Sequence, residues 1–341
     1  MVDAEAAHLK TETVGDFGEE RLIETLIAPI ACNIGDDAAQ IRPPSGASLL
    51  VSTDALVESI HFLRESPADW LGHKALGINI SDMAASGGEP KWATLALNLP
   101  HQLPISWVKA LLAGFGEALE KAGVALVGGD VTASPRDIGI TVTILGLRED
   151  GSPENHRPTL DRAGADSGDY LAVTGHLGET LPGLLAILGK LALPQNADET
   201  WRRRHFFLPN RVEFAKALHE RSLASAMMDL SDGLAVDLPR LAKASNVGAE
   251  IELDAVPISK GFSELKLDAE DAVLAGEDYE LLLSVTPKQW PRLAELAASM
   301  AVPLHRIGRT TNHLGVTFLK KGKNVALRAK PWRHFHGDDV V

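Results

Sequence analysis

The sequence predicts a two-domain mixed α/β protein. Alternating apolar stretches interleave with stretches of helical period along the whole chain. At 341 residues, 45% of them hydrophobic, the chain exceeds what one core ordinarily fills. From Arg148 to Asp169 the composition shifts to Gly, Pro, Asp, Arg and Asn with few large apolar side chains, as at a crossing between domains. A boundary near Arg148 divides the chain into 1–148 and 149–341.

Leu22, Ile23, Leu26 and Ile27 recur at helical spacing until Pro29, predicting a leading helix. Leu49 to Val51 reads as a buried strand stopping at Ser52-Thr53-Asp54, with a further strand from Val57 to Phe62 beyond that corner. Trp70 to Ser86 is a helix ended by Gly87-Gly88, with Ala75, Ile78, Asn79 and Asp82 on one face. Trp92 to Leu99 alternates as a strand, Ile105 to Lys121 is an amphipathic helix, and Ile138 to Leu145 alternates again. Beyond the crossing, the strand Tyr170 to Val173 leads through Gly175-His176-Leu177-Gly178 into a helix. Pro209 stands as the first residue of another, which carries Val212, Ala215 and Leu218. Asp232-Gly233 opens a helix containing Leu234, Asp237, Leu238 and Leu241, and Ala249 to Leu253, Tyr279 to Val285 and Val316 to Leu319 read as strands.

Composition narrows the function. Acidic residues exceed basic ones by 46 to 33, a net charge of -13, and no basic run could form a nucleic-acid stripe. The single cysteine, Cys32, rules out an intrachain disulfide framework and a cysteine zinc cluster. Met1 to Asp16 lacks a signal-peptide layout, and no apolar run approaches the ~20 residues that span a bilayer, so a cytoplasmic protein that engages no membrane is expected. There is no P-loop, and Asp16-Phe17-Gly18 lacks every other kinase segment.

The chemistry lies in aspartates placed where apolar runs stop: Ser52-Thr53-Asp54, Val127-Gly128-Gly129-Asp130 and Met228-Asp229-Leu230-Ser231-Asp232-Gly233. Gly35-Asp36-Asp37 and Asn79-Ile80-Ser81-Asp82 add more. Each alone is explained as a turn residue or helix cap. Together, at strand exits in both halves, they point to a shared divalent-cation site, because ligands of α/β proteins collect at carboxyl ends of strands. Of the adjacent pair Asp36 and Asp37, Asp37 is favoured as the inward one. Gly128-Gly129 suits close approach of backbone N–H groups to a phosphate and permits positive φ. Asp82, turned toward a core face, needs a cation or hydrogen-bond partners. Two unit charges ~5 Å apart at an effective dielectric of ~20 repel by ~3 kcal/mol, so a polyphosphate meets bare carboxylates only through intervening cations. Magnesium, which takes one or two carboxylates plus substrate phosphates, suits scattered aspartates. Metal-assisted phosphoryl transfer or phosphate hydrolysis follows.

These segments, with Ala55-Leu56-Val57-Glu58, His61-Phe62, Lys74-Ala75-Leu76 and Gly276-Glu277-Asp278-Tyr279-Glu280-Leu281, occur in order over nearly the whole chain and resemble the thiamine-monophosphate kinase family. That family groups with the aminoimidazole-ribonucleotide and selenophosphate synthetases. The resemblance implies an aminoimidazole-ribonucleotide-synthetase-like fold: an N-terminal ATP- and magnesium-binding sheet that closes a homodimer, and a C-terminal mixed α/β domain that completes the active site. It implies magnesium ligands at Asp37, Ser52, Thr53, Asp54, Asp82, Asp130, Asp229 and Asp232, with Asp54, Asp130 and Asp232 the catalytic carboxylates. It implies ATP contacts from Gly129, Asp130, Arg162 and Ser231, and thiamine-phosphate contacts from His61, Glu277 and Phe335, for which Trp332 is the alternative. Direct in-line transfer from ATP to thiamine monophosphate is the expected reaction. A sister ATP-dependent synthetase or dehydratase, or a non-catalytic nucleotide or divalent-ion module, are the alternatives. The sequence departs from the family at Val131, where threonine is common, and at Ser59-Ile60, where glycine-valine is usual.

Overall fold

The computed structural model describes residues 12–17, 19–30, 44, 46–152, 155, 156 and 160–329. Cys32, Asp36, Asp37, Trp332 and Phe335 lie outside the described residues.

The N-terminal half is a four-stranded sheet with two helices on one face. Its elements are β1 (Ala47–Val57), α1 (Ala68–Ala85), β2 (Glu89–Pro100), α2 (Ile105–Ala122), β3 (Ala125–Ser134) and β4 (Gly139–Glu149). Strand order is β1-β4-β2-β3, with β2 and β3 parallel and the other pairs antiparallel. Both helices start after a proline, Pro67 and Pro104, whose fixed φ suits a helix entrance. They stop where Gly87 and Gly123 take a φ of +66°. Leu56, Leu95, Leu97, Ile140, Val142 and Ile144 alternate onto the face covered by the helices. The opposite face is uncovered, and Leu49, Val51 and Val57 of β1 are exposed on it, Val51 by 60%.

The leading segment is less regular than a single helix: Glu19–Leu22 is α-helical, Ile23–Ile27 is a π-turn and Ala28–Ile30 is a 3-10 turn. A second difference matters more. β1 does not turn at Ser52-Thr53-Asp54 but continues to Val57, and no separate strand runs from Val57 to Phe62. β3 likewise continues through Asp130. Polar residues that resemble a turn in sequence are here tolerated within a strand because the two-residue period sends them to alternate faces. The turn that follows β1 is pinned by Glu58, which accepts from Arg64 at 2.6 and 2.5 Å and from the Ile138 N–H at 2.9 Å.

The C-terminal half contains β5 (Tyr170–Thr174), α3 (Leu181–Ile187), α4 (Asp198–Phe206), α5 (Val212–Arg221), β6 (Ala226–Asp229), α6 (Leu234–Ala244) and β7 (Gly248–Glu252). It ends with α7 (Lys260–Glu264), α8 (Ala269–Leu274), β8 (Leu281–Val285), α9 (Trp290–Ser299), β9 (Leu304–Thr311), β10 (Gly315–Lys320) and β11 (Lys323–Val325). Its seven strands are ordered β11-β10-β7-β9-β5-β8-β6. Pro209 precedes α5 by more than one residue, and Arg211 is the N-cap. β9, β11, α4, α7, α8 and α9 have no counterpart among the elements the sequence predicts. Within this half, Glu280 accepts two hydrogen bonds from Arg211 at 2.7 Å and one from the Thr174 hydroxyl at 2.5 Å. Gly175, at a φ of +61°, leaves room for that carboxylate, which a Cβ would strike.

α1 lies at the junction of the halves and contacts both. One side lies on the first sheet, while Ser81 at its far end bonds to Asp229 of β6 and Lys74 reaches α4. Among the described residues no helix is long and apolar enough to cross a membrane.

Candidate active site

Ser52, Asp54 and Leu56 alternate onto the covered face of β1, beside α1. There the Ser52 hydroxyl donates to Asp82 at 2.5 Å, and the carboxyl groups of Asp54 and Asp82 share a hydrogen bond. From the other half, Asp229 at the end of β6 accepts from the Ser81 hydroxyl at 2.7 Å. Three acids from β1, α1 and β6 thus face one another across the junction.

Their electrostatics reflect crowding. Burial, then the charge of Asp82 and its hydrogen bond, then Asp229, push the Asp54 carboxyl up to about 7. Burial and Asp82 push Asp229 up to about 6, while the Ser81 hydrogen bond and Arg162 oppose that rise. Each acid disfavours ionisation of the next, the condition that an added divalent cation reverses. Among the described residues no three or more histidine, cysteine or acidic side chains are arranged to hold a metal ion by themselves. Magnesium ordinarily takes only one or two carboxylates and draws its remaining oxygens from water and phosphate.

Asp232 lies just beyond β6, where its side chain pairs with Arg240 at 2.6 Å and its N–H donates to Asp237 at 2.9 Å. Asp237 is fully buried, and burial followed by the charge of Asp232 raises it to about 7. Ser231 holds the loop: its carbonyl accepts the Glu277 N–H at 2.7 Å, and the adjacent Leu230 carbonyl accepts that of Tyr279 at 2.8 Å. Glu277 and Tyr279 occupy φ of +68° and +50°, left-handed geometry that costs a residue with a Cβ roughly 1–2 kcal/mol. His61 accepts the Val57 N–H at Nδ1, 3.0 Å away, which leaves its proton on Nε2.

Other expected residues stand apart. Thr53 projects from β1 opposite to Ser52 and Asp54, where it donates to the Val142 carbonyl at 3.1 Å. Asp130 is exposed on β3 at the other edge of the sheet, three strand positions from Asp54, or roughly 14 Å at ~4.8 Å per spacing. It pairs with Ala96, which shares the uncovered face with Thr53. Gly128 and Gly129 do not adopt positive φ. Gly129 is required for another reason, since a Cβ there would strike the Leu95 carbonyl of the neighbouring strand. Arg162 is exposed and acts on Asp229 only through its charge.

Four residues given no role in the sequence reading belong to this region. Lys74 is wholly buried on α1, on the stripe Leu71, Lys74, Ala75 and Ile78, and Asp237 falls on the stripe Leu234, Asp237, Leu238 and Leu241. A charged residue on an apolar stripe is the signal that could have revealed both. His205 of α4 has no such periodic mark. Tyr279 is packed against the core, and its hydroxyl is kept protonated by burial, Glu277, Asp229, Asp54 and Asp82, in that order. It is therefore close enough to Glu277 and to the acid group to feel the charge of both.

Comparison with known proteins agrees with this architecture. Residues 35–148 match the family model for AIR synthase related protein, N-terminal domain, and residues 166–320 match its C-terminal domain. A thiamine-monophosphate kinase of Escherichia coli (strain K12) is 36% identical over 312 residues, 90% of this chain and 92% of that one. The crystal structure of thiamine-monophosphate kinase from Stenotrophomonas maltophilia K279a superimposes with a TM-score of 0.76 at 35% identity, covering 87% of this chain and 95% of that one. A solved complex described as AaThiL with AMPPCP and TMP gives a TM-score of 0.74 at 32% identity, covering 94% and 98%.

Proposed function

The chain belongs to the thiamine-monophosphate kinase family, with both domains of the AIR synthase related proteins, and on that premise we propose that it transfers the γ-phosphoryl group of ATP to thiamine monophosphate, giving thiamine diphosphate and ADP. The observation that carries this reading is the meeting of Asp54, Asp82 and Asp229 across the junction of the two halves. The relative solved with AMPPCP and TMP supports the pairing of nucleotide and thiamine phosphate.

In this reading Asp54, Asp82 and Asp229 hold magnesium, with the Ser52 hydroxyl orienting Asp82. Bound magnesium supplies positive charge that offsets the repulsion between the two phosphates. Asp232, paired with Arg240, lies at the nucleotide end with Ser231 and Arg162. Thr53 and Asp130 with Gly129 would meet metal and ATP on the opposite, uncovered face of the sheet, apart from the Asp54 group, Asp37 is a further metal ligand, and His61, Glu277 and Phe335 contact the thiamine moiety. No general base is required. A phosphate monoester with a second pKa of ~6 is ~90% dianionic at pH 7, so the nucleophile is already formed. The task of the protein is alignment and charge compensation, and transfer is direct and in line with no phosphoenzyme.

The functional unit in this reading is a homodimer closed through the N-terminal sheet in the cytoplasm. Leu49, Val51 and Val57 on the uncovered face support it, since an apolar patch of that kind ordinarily marks an interface. Thr53 and Asp130 share that face, so a second sheet laid on it would enclose both.

Incubation with ATP, magnesium and thiamine monophosphate, followed by chromatography, tests the proposal. Equimolar thiamine diphosphate and ADP are expected. ADP and free phosphate without thiamine diphosphate would indicate a sister ATP-dependent activity, and saturable ATP binding without turnover would indicate a binding module.

A further inference from the structure

Lys74 is a lysine with no solvent exposure. Its ammonium donates to Glu277 Oε1 at 2.7 Å and to His205 Nε2 at 3.1 Å. An ammonium has no lone pair, so Nε2 must accept and the imidazole proton resides on Nδ1. Nδ1 lies 3.2 Å from Glu277 Oε2 but makes no aligned hydrogen bond. Both oxygens of one carboxylate therefore face donors from two helices, α1 and α4. Burial and then Lys74 hold His205 well below its usual range, at about 4, so it is neutral. The Lys74 ammonium, by its charge and its hydrogen bond, holds Glu277 ionised against its burial.

Lys74 and His205 are sealed at 0% and 3% side-chain exposure, whereas Glu277 keeps 24%. The carboxylate edge of Glu277 is thus the outlet of the cluster. Tyr279, on the same strained segment as Glu277, feels the charge of Glu277 and of Asp229, Asp54 and Asp82. Asp278 is turned away, accepting the Gly178 N–H at 2.8 Å.

We infer that Lys74 and His205 are positioning residues for substrate recognition, which hold Glu277 as an oriented carboxylate whose open edge accepts the amino group of the thiamine pyrimidine ring. This rests on the kinase reading above. The arrangement makes Glu277 a selector for an N–H donor. A site built around such an acceptor rejects an analogue lacking the donor, because the acceptor is then left buried and unmatched.

The test compares thiamine monophosphate with oxythiamine monophosphate, in which an oxo group replaces the amino group, in wild-type protein, Lys74→Met, Glu277→Gln and the double variant. Lys74→Met is expected to raise KM for thiamine monophosphate between about tenfold and about 100-fold, with KM for ATP changed less than about threefold. Its preference for the amino over the oxo compound is expected to fall to that of Glu277→Gln, and the double variant to be no worse than Glu277→Gln alone. Undiminished preference in Lys74→Met, or additive losses in the double variant, would overturn the inference. If Lys74→Met does not fold, His205→Leu gives the same readout: reduced preference supports the inference and unchanged preference refutes it. A wild-type protein with no turnover of thiamine monophosphate would instead sink the kinase reading.

Discussion

Replacing Asp54 by asparagine keeps the side chain's shape and removes a charge that its surroundings oppose. The folded protein raises this carboxyl from 3.8 to about 7, chiefly through burial and Asp82. Because the folded value exceeds the unfolded one, the stabilisation is complete below pH 3.8, is lost as pH rises toward 7, and is absent above it. The interval corresponds to roughly 4 kcal/mol, and for a partly buried group solvent screening reduces this to about 2 kcal/mol. In EDTA the Asp54→Asn variant should match the wild type near pH 4 and become more stable between pH 4 and 7. The gap should then level off at about 2 kcal/mol, or about 3 °C in Tm for a chain of this size. Magnesium with ATP should raise the wild-type Tm at pH 8 and leave that of the variant almost unchanged, while kinase turnover in the variant falls at least about 100-fold. Differential scanning calorimetry across pH, with and without magnesium, measures all but the last. Parallel Tm profiles for the two proteins, or equal responses to magnesium, would refute the reasoning.

Ser59 occupies a φ of +67° where the family usually has glycine, so Ser59→Gly should stabilise by about 0.5 kcal/mol, the left-handed strain less the added unfolded-chain entropy, read from the urea midpoint. Arg211→Ala strands the buried Glu280 carboxylate and should cost roughly 3–5 kcal/mol in chemical denaturation, partly recovered by adding Glu280→Gln. Val51→Lys places a charge on the exposed apolar face of β1. Light scattering should show a dimeric wild type and a monomeric variant with an unaltered far-UV spectrum, and a monomeric wild type would dispose of the dimer.

Much of the fold was legible because period alone reports it. The helix Ile105–Ala122 and the strands around Leu95 and Ile140 repeat their apolar residues at intervals that packing enforces. Ser52-Thr53-Asp54 was misread as a corner because polar residues inside a strand look like a turn until the pairing partner is known. The chemistry of the acids was legible too, but their grouping was not. β4 inserts between β1 and β2, which carries Asp130 to the far edge from Asp54, and that insertion depends on pairings between residues far apart in sequence. Asp229 meets Asp82 only because α1 packs against both halves. His205 lacked any local sign, since its partners Lys74 and Glu277 lie on distant segments.

The central claim is that acids from β1, α1 and β6 share divalent cations with the nucleotide. Crystals grown with manganese and a non-hydrolysable ATP analogue, measured at the manganese absorption edge, test it most directly. The account predicts anomalous peaks at about 2.0–2.3 Å from carboxylate oxygens of Asp54, Asp82 and Asp229 and beside the analogue's phosphates. Peaks confined to other places, with these three carboxyl groups still bonded only to one another and to Ser52 and Ser81, would contradict it.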